Sequence, residues 1–166
     1  MGILKKITNA AGNNSTYRVG LLQTKAYRVL KQHTGKALAS SSISSVEWAF
    51  LGILFDNKKG IRGSDAAEML GVEAPFITSM AAKLMDMSFL DQKKDESDGR
   101  AKMLVLTDKG LEFVETTEKQ LRKEMKQLVE GVSIAELFGY LTTLQRIVDN
   151  GKALGDDARK TADGDY

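Results

Sequence analysis

Residues 95–110 read Asp95-Glu96-Ser97-Asp98-Gly99-Arg100-Ala101-Lys102-Met103-Leu104-Val105-Leu106-Thr107-Asp108-Lys109-Gly110, and the fold turns on this stretch. Asp98-Gly99 is a hairpin turn signal, because both residue types tolerate the positive φ angles that a tight turn between twisted strands requires. It is flanked by residues 89–94 and 101–106, which read as two strands, the second carrying Met103, Leu104, Val105 and Leu106 beside Thr107. Thr107 is a helix cap, and Leu111, Val114, Leu121, Met125 and Leu128 follow near heptad spacing, which predicts a long helix ending at Gly131.

Upstream of the hairpin, Pro75 opens a helix where its missing N–H costs nothing. Ile77, Met80, Ala81 and Leu84 share one face of that helix, which leaves Phe76, Thr78, Ser79, Ala82 and Lys83 on the other. A shorter helix over 65–70 precedes it, stopped by Gly71, and about four residues separate the two, as in a helix-turn-helix. A hairpin directly after such a pair is a wing. Ser44 with Glu47 three positions on is a capping box, opening a helix through Trp48, Leu51, Ile53, Leu54 and Phe55 to about Asn57. Val19, Leu22, Ala26, Val29, Leu30, His33 and Ala37 recur at helical spacing over 17–39. Ser133 and Glu136 form a second capping box, from which Ile134, Leu137, Leu141, Leu144 and Val148 carry a last helix to about Gly151. Residues 1–16 and 152–166 read as flexible ends. The expected fold is mainly α with a small β wing: one domain, with a winged helix-turn-helix lobe over 44–106 and long N- and C-terminal helices over 17–39 and 107–151.

The chain has 166 residues, 42% of them hydrophobic, enough for one compact domain. It contains no cysteine, so disulfides, thiolate metal sites and cysteine nucleophiles are excluded. With one histidine, no Gly-x-Ser-x-Gly elbow, no phosphate-binding glycine loop and no His-Glu-x-x-His, the sequence points away from an enzyme, and no cofactor or metal is expected. No apolar run is long enough for a membrane span and no secretory signal is evident, so a cytoplasmic protein is expected. The net charge of +2 hides an asymmetry: residues 1–62 hold ten Lys or Arg against two acids, 63–102 five against eight, and 103–166 nine against twelve. A basic first third suits an anionic partner, and a solvated helix face explains it as well.

Three stretches carry a family resemblance. Ile43-Ser44-Ser45-Val46-Glu47-Trp48-Ala49-Phe50-Leu51, Leu70-Gly71-Val72 followed by Ile77-Thr78, and above all Asp98-Gly99-Arg100 with Leu106-Thr107-Asp108-Lys109-Gly110 resemble the MarR family of bacterial transcriptional regulators, over residues 17–151. The resemblance implies a sequence-specific double-stranded DNA-binding regulator, a repressor, working as a homodimer on a pseudo-palindromic operator. It implies a recognition helix in the major groove and a wing in the minor groove, with Arg100 entering the groove and Asp98 holding its guanidinium. Two positions depart from the family pattern: Ser79 stands where most members carry Arg or Lys, and Ser88 stands in place of the usual glycine before the wing.

The candidate DNA contacts are Pro75, Phe76, Thr78, Ser79 and Lys83 on the recognition helix, Lys93, Lys94, Asp98, Arg100 and Lys102 in the wing, and Arg62 before the first short helix. Phe76 either meets a thymine methyl or packs on Val72 as a hydrophobic staple. The apolar stripes of the outer helices call for a partner surface, met by a second copy or by a monomeric bundle. By analogy with the family, a small aromatic or phenolic ligand is expected in a crevice lined by Tyr27, Lys31, His33, Trp48 and Phe55, residues that ordinary core packing also accounts for. The alternative to DNA binding is a winged-helix adaptor or antirepressor that binds protein.

Overall fold

The structure, a computed structural model, describes the backbone of residues 16–95 and 101–162, and the side chains of Tyr17, 19–95 and 101–154 within them. Asp98 and Arg100, and most of the N-terminal arm, lie outside the described residues. In chain order the elements are α1 (Thr16–Leu38), a 3-10 turn (Ala39–Ser41), α2 (Ser45–Asp56), β1 (Ile61–Arg62), α3 (Gly63–Leu70), α4 (Ala74–Asp86), β2 (Leu90–Lys94), β3 (Lys102–Leu106), α5 (Asp108–Leu128) and α6 (Ile134–Ala162). Packing divides the chain between Met125 and Lys126 into two units, the first holding α1 to most of α5 and the second the end of α5 and α6.

Local chemistry accounts for the element boundaries. Ser44 Oγ accepts the Glu47 N–H at 3.3 Å while Glu47 Oε2 accepts the Ser44 N–H at 2.7 Å, so α2 starts with the reciprocal cap its sequence announced. Gly71 turns left-handed at φ 65° to end α3, and Pro75 sits in the first turn of α4. Helix α4 ends in a Schellman turn: Phe89 N–H donates to the Leu84 carbonyl at 2.9 Å and Ser88 N–H to the Met85 carbonyl at 2.8 Å, with Ser88 at φ 61°. Ser88 therefore holds the left-handed conformation that glycine adopts more cheaply.

In the first unit, one face of α4 (Ile77, Met80, Ala81, Leu84) closes over Phe50, Leu51 and Leu54 of α2, Ala66 and Ala67 of α3, and Leu90 and Leu104 of the sheet. Each large side chain so buried contributes about 1.5 to 3 kcal/mol. The sheet has three antiparallel strands in the order β1-β3-β2. Strand β1 was not anticipated. It is two residues long, too short for any periodicity, and it pairs Ile61 with Leu104 and Arg62 with Met103. Gly60 makes the approach possible, since at φ 99° an added Cβ would press on Val105 Cγ1 at 2.8 Å.

The Leu106-Thr107-x-x-Gly110 signature is a structural hub. Thr107 Oγ1 caps α5 by accepting the Gly110 N–H at 3.0 Å and donates its own proton to the Ser88 carbonyl at 2.7 Å, while Thr107 N–H donates to the Phe89 carbonyl at 3.1 Å. Gly110 is buried, and a Cβ there would collide with the Phe89 carbonyl. These residues join the wing's exit to the end of α4.

In the second unit, α6 opens with the expected capping box, Glu136 Oε2 accepting the Ser133 N–H at 2.8 Å. The helix does not stop at Gly151 but runs to Ala162, which corrects the expectation of a flexible end from 152. Gly71 ends its helix by turning left-handed, whereas α5 ends at Leu128, three residues before the expected Gly131, and Gly151 ends nothing; within a helix a glycine costs about 1 kcal/mol relative to alanine without ending it. Among the described residues no single helix is long and apolar enough to cross a membrane.

Candidate nucleic-acid interface

Helices α3 and α4 form the helix-turn-helix, and burial of Ile77, Met80, Ala81 and Leu84 fixes which face of α4 looks outward. Pro75, Phe76, Thr78, Ser79 and Ala82 are all exposed on that face. Phe76 is 47% exposed and stands outside the core, whereas Val72 packs against it, so the ring is available at the surface of the helix's first turn. Thr78 Oγ1 donates back to the Ala74 carbonyl at 3.2 Å, which leaves the oxygen's lone pairs to accept. Ser79 is short and exposed, and cannot supply the bidentate base contact of an arginine.

Strand register settles how the wing's lysines are arranged. Lys94 lies directly opposite Lys102, and Gln92 opposite Leu104, so these side chains share the sheet face that carries Leu90 and Leu106 toward the core. A groove of about 230 Å³ runs between α4 and that face, lined among others by Thr78, Ala82, Gln92 and Lys102. Like charges directly opposite one another destabilise a hairpin unless an anion shares them. Lys94 and Lys102 are both exposed, and Lys102 lines the groove beside α4. Lys93, opposite Met103, projects from the other face. Gln92 escaped sequence reading because its side of the strand depends on a register that only the paired structure fixes.

Two cations expected to meet phosphates have other employment. Arg62 Nε and Nη2 both donate to Asp95 Oδ2, at 3.0 and 2.6 Å, tying β1 to the base of the wing, where Asp95 N–H also donates to the Ala101 carbonyl at 3.0 Å. Lys83 is the larger departure. Its Nζ donates to the Ser42 carbonyl at 2.8 Å and to Glu47 Oε2 at 2.9 Å, so the ammonium turns away from the outer face of α4 toward the start of α2. Burial by itself raises the Glu47 carboxyl, but the Ser44 amide, the Lys83 ammonium and the Ser44 hydroxyl outweigh it and hold the group below its ordinary 4.5.

No family model matches the chain. An uncharacterized HTH-type transcriptional regulator of Bacillus subtilis, YdgJ, is 24% identical over 112 residues, which span 68% of each protein. Solved structures resemble it over most of its length: a MarR transcriptional regulator of Methanosarcina mazei superimposes with a TM-score of 0.70 at 21% identity, over 84% of this chain and 99% of that one. CouR of Rhodococcus jostii bound to p-coumaroyl-CoA gives 0.73 at 19%, over 78% and 90%. MepR of Staphylococcus aureus in complex with DNA gives 0.67 at 21%, over 79% and 96%. The fold is that of the MarR regulators.

In this MarR fold, α2 and α5 leave a cavity of about 770 Å³ between them, lined by Trp48, Ala49, Gly52, Phe55, Asp56, Val114, Glu115, Glu118, Lys119 and Arg122. Trp48 and Phe55, two of the five expected crevice residues, are on its wall. Tyr27, Lys31 and His33 of α1 are not, and Lys31 instead lies 5.7 Å from the centre of the Tyr27 ring. The helical period of α1 does not reveal which of its faces a neighbour will approach, and the acidic and basic residues of α5 that do line the cavity went unremarked because they read as a solvated surface. Phe113 backs the wall, stacked on Phe89 at 4.5 Å and edge-on to Trp48 at 6.4 Å.

Proposed function

We propose that this chain is a cytoplasmic DNA-binding transcriptional regulator, a repressor and not an enzyme, that works as a homodimer. One observation carries the reading: α4 exposes Pro75, Phe76, Thr78 and Ser79, and Thr78 shares a groove with Lys102 of the wing, which stands opposite Lys94. That arrangement offers base contacts and phosphate contacts on one side of the lobe. The wing tip, with Arg100 steadied by Asp98, enters the adjacent minor groove, whose narrow form concentrates negative potential. The dimer is supported by apolar side chains exposed among the described residues. On α1, Val19 and Leu22 are 67% and 70% exposed; on α6, Ile134, Phe138 and Leu141 are 78%, 70% and 60% exposed. A second copy buries such stripes and sets two reading helices roughly 34 Å apart along a duplex. We read the whole chain as one functional domain, with 17–39 and 107–151 joining the copies and 44–106 reading DNA.

Retention on heparin and on random-sequence duplex tests the reading. Elution that moves steeply with salt is expected, because each neutralised phosphate releases counterions. A protein that passes through both columns, or holds a protein partner regardless of salt, is an adaptor instead.

The cavity supports an effector site. Its volume falls within the range of small-molecule sites, about 300 to 1,000 Å³, and its wall combines the Trp48 and Phe55 rings with Lys119, the carboxylates of Asp56 and Glu115, and Arg122 paired to Glu118 at 3.0 Å. A small aromatic or phenolic ligand fits that chemistry. Trp48 is the sole tryptophan, so titration with a phenolic acid is expected to quench its fluorescence saturably, and Trp48→Phe to retain binding while losing the signal. No change in emission across the titration would remove the effector site from the account.

A further inference from the structure

Lys83 stands in the last turn of α4, a helix whose backbone packs chiefly on α3 and β2. Its side chain reaches past that packing to the entry of α2. Three oxygens surround the ammonium there: the Ser42 carbonyl at 2.8 Å, Glu47 Oε2 at 2.9 Å and Glu47 Oε1 at 2.9 Å. An ammonium has three protons, and three oxygens stand within reach of them. The acceptors are themselves held. Ser42 sits in a left-handed turn at φ 58°, and Glu47 is 7% exposed, with Oε2 also accepting the Ser44 N–H at 2.7 Å.

We propose that Lys83 is a positioning residue that fixes the pose of α4 by locking its last turn to the capping box of α2, and that it does not contact DNA. The proposal rests on the DNA-binding reading above. A charge-assisted, carboxylate-held lysine of this kind resists the tilting of one helix on another, and the geometry at Thr78 and Ser79 then stays matched to base edges. Were the lysine free, it would add one phosphate contact and leave the pose to packing alone.

The sign and salt dependence of two substitutions separate these cases. Glu47→Gln keeps the cap, since Gln at this position serves a capping box as Glu does, but removes the charge that holds Lys83. Lys83→Met removes the other half. With duplexes selected by the full-length protein from a random pool, at a temperature where circular dichroism shows every variant folded, each substitution is expected to weaken specific binding about tenfold. The double variant is expected to be no weaker than either single one. Affinity for random duplex and the slope of log K against log salt are expected to stay as in the unmodified protein, which a general loss of stability would not produce. Tighter binding by Glu47→Gln, or a salt slope reduced by about 0.9 in Lys83→Met, would make Lys83 a phosphate contact and overturn the proposal. Unchanged specific affinity in both variants would overturn it too. Failure of the unmodified protein to retain any duplex is a different result, and it removes the DNA-binding reading on which the lock depends.

Discussion

Ser88 shows what one side chain can cost. A non-glycine residue held at φ 61° gives up about 1 to 2 kcal/mol, part of which glycine returns as lost chain entropy. Ser88→Gly is therefore expected to raise the unfolding free energy by about 1 kcal/mol in urea titrations, with DNA affinity unchanged. A neutral or destabilising effect would mean that the turn is held by more than its backbone. Glu47 makes a prediction about acid. Its carboxyl lies below its ordinary value when folded, so its contribution is fully present above about pH 4.5 and is lost as pH falls through the lower, folded value. The acid limb of the stability curve is expected to flatten in Glu47→Gln, and a curve that keeps its slope would show that the lysine and the cap do not act through this group's charge.

At the scale of elements, the wing tip is the part to test. Arg100→Ala is expected to weaken specific binding by about 1 to 3 kcal/mol in operator titrations, the loss expected for one specific groove contact. An unchanged affinity would refute the wing's role. Most of the elements themselves were legible. Ser44 with Glu47 and Ser133 with Glu136 announced two helix starts because a capping box is a purely local bond pattern. Ile77, Met80, Ala81 and Leu84 announced the buried face of α4 because the helical period aligns them. Contacts between distant segments left no such trace. Strand β1 exists only because Ile61 and Arg62 find β3 more than 40 residues on. Lys83 reads as a surface lysine until Glu47, 36 residues away, is brought beside it. The extension of α6 was hidden by a glycine that suggested an end and did not impose one.

For the molecule as a whole, α1 and α6 each bear large apolar side chains that are exposed among the described residues, and the proposed second copy explains why a protein would keep them. Sedimentation is expected to give twice the chain mass for the unmodified protein, and the mass of one chain for Phe138→Glu combined with Leu141→Glu, which place charge on that stripe. A monomer mass for the unmodified protein would leave the stripes to some other partner. The joint demand of two lobes on one duplex is most directly read from the DNA itself. Sequencing duplexes that the protein selects from a random library is predicted to yield an inverted repeat whose half-sites lie about 10 base pairs apart, one turn of the helix. A single unrepeated site, or no enrichment over the starting pool, would contradict it.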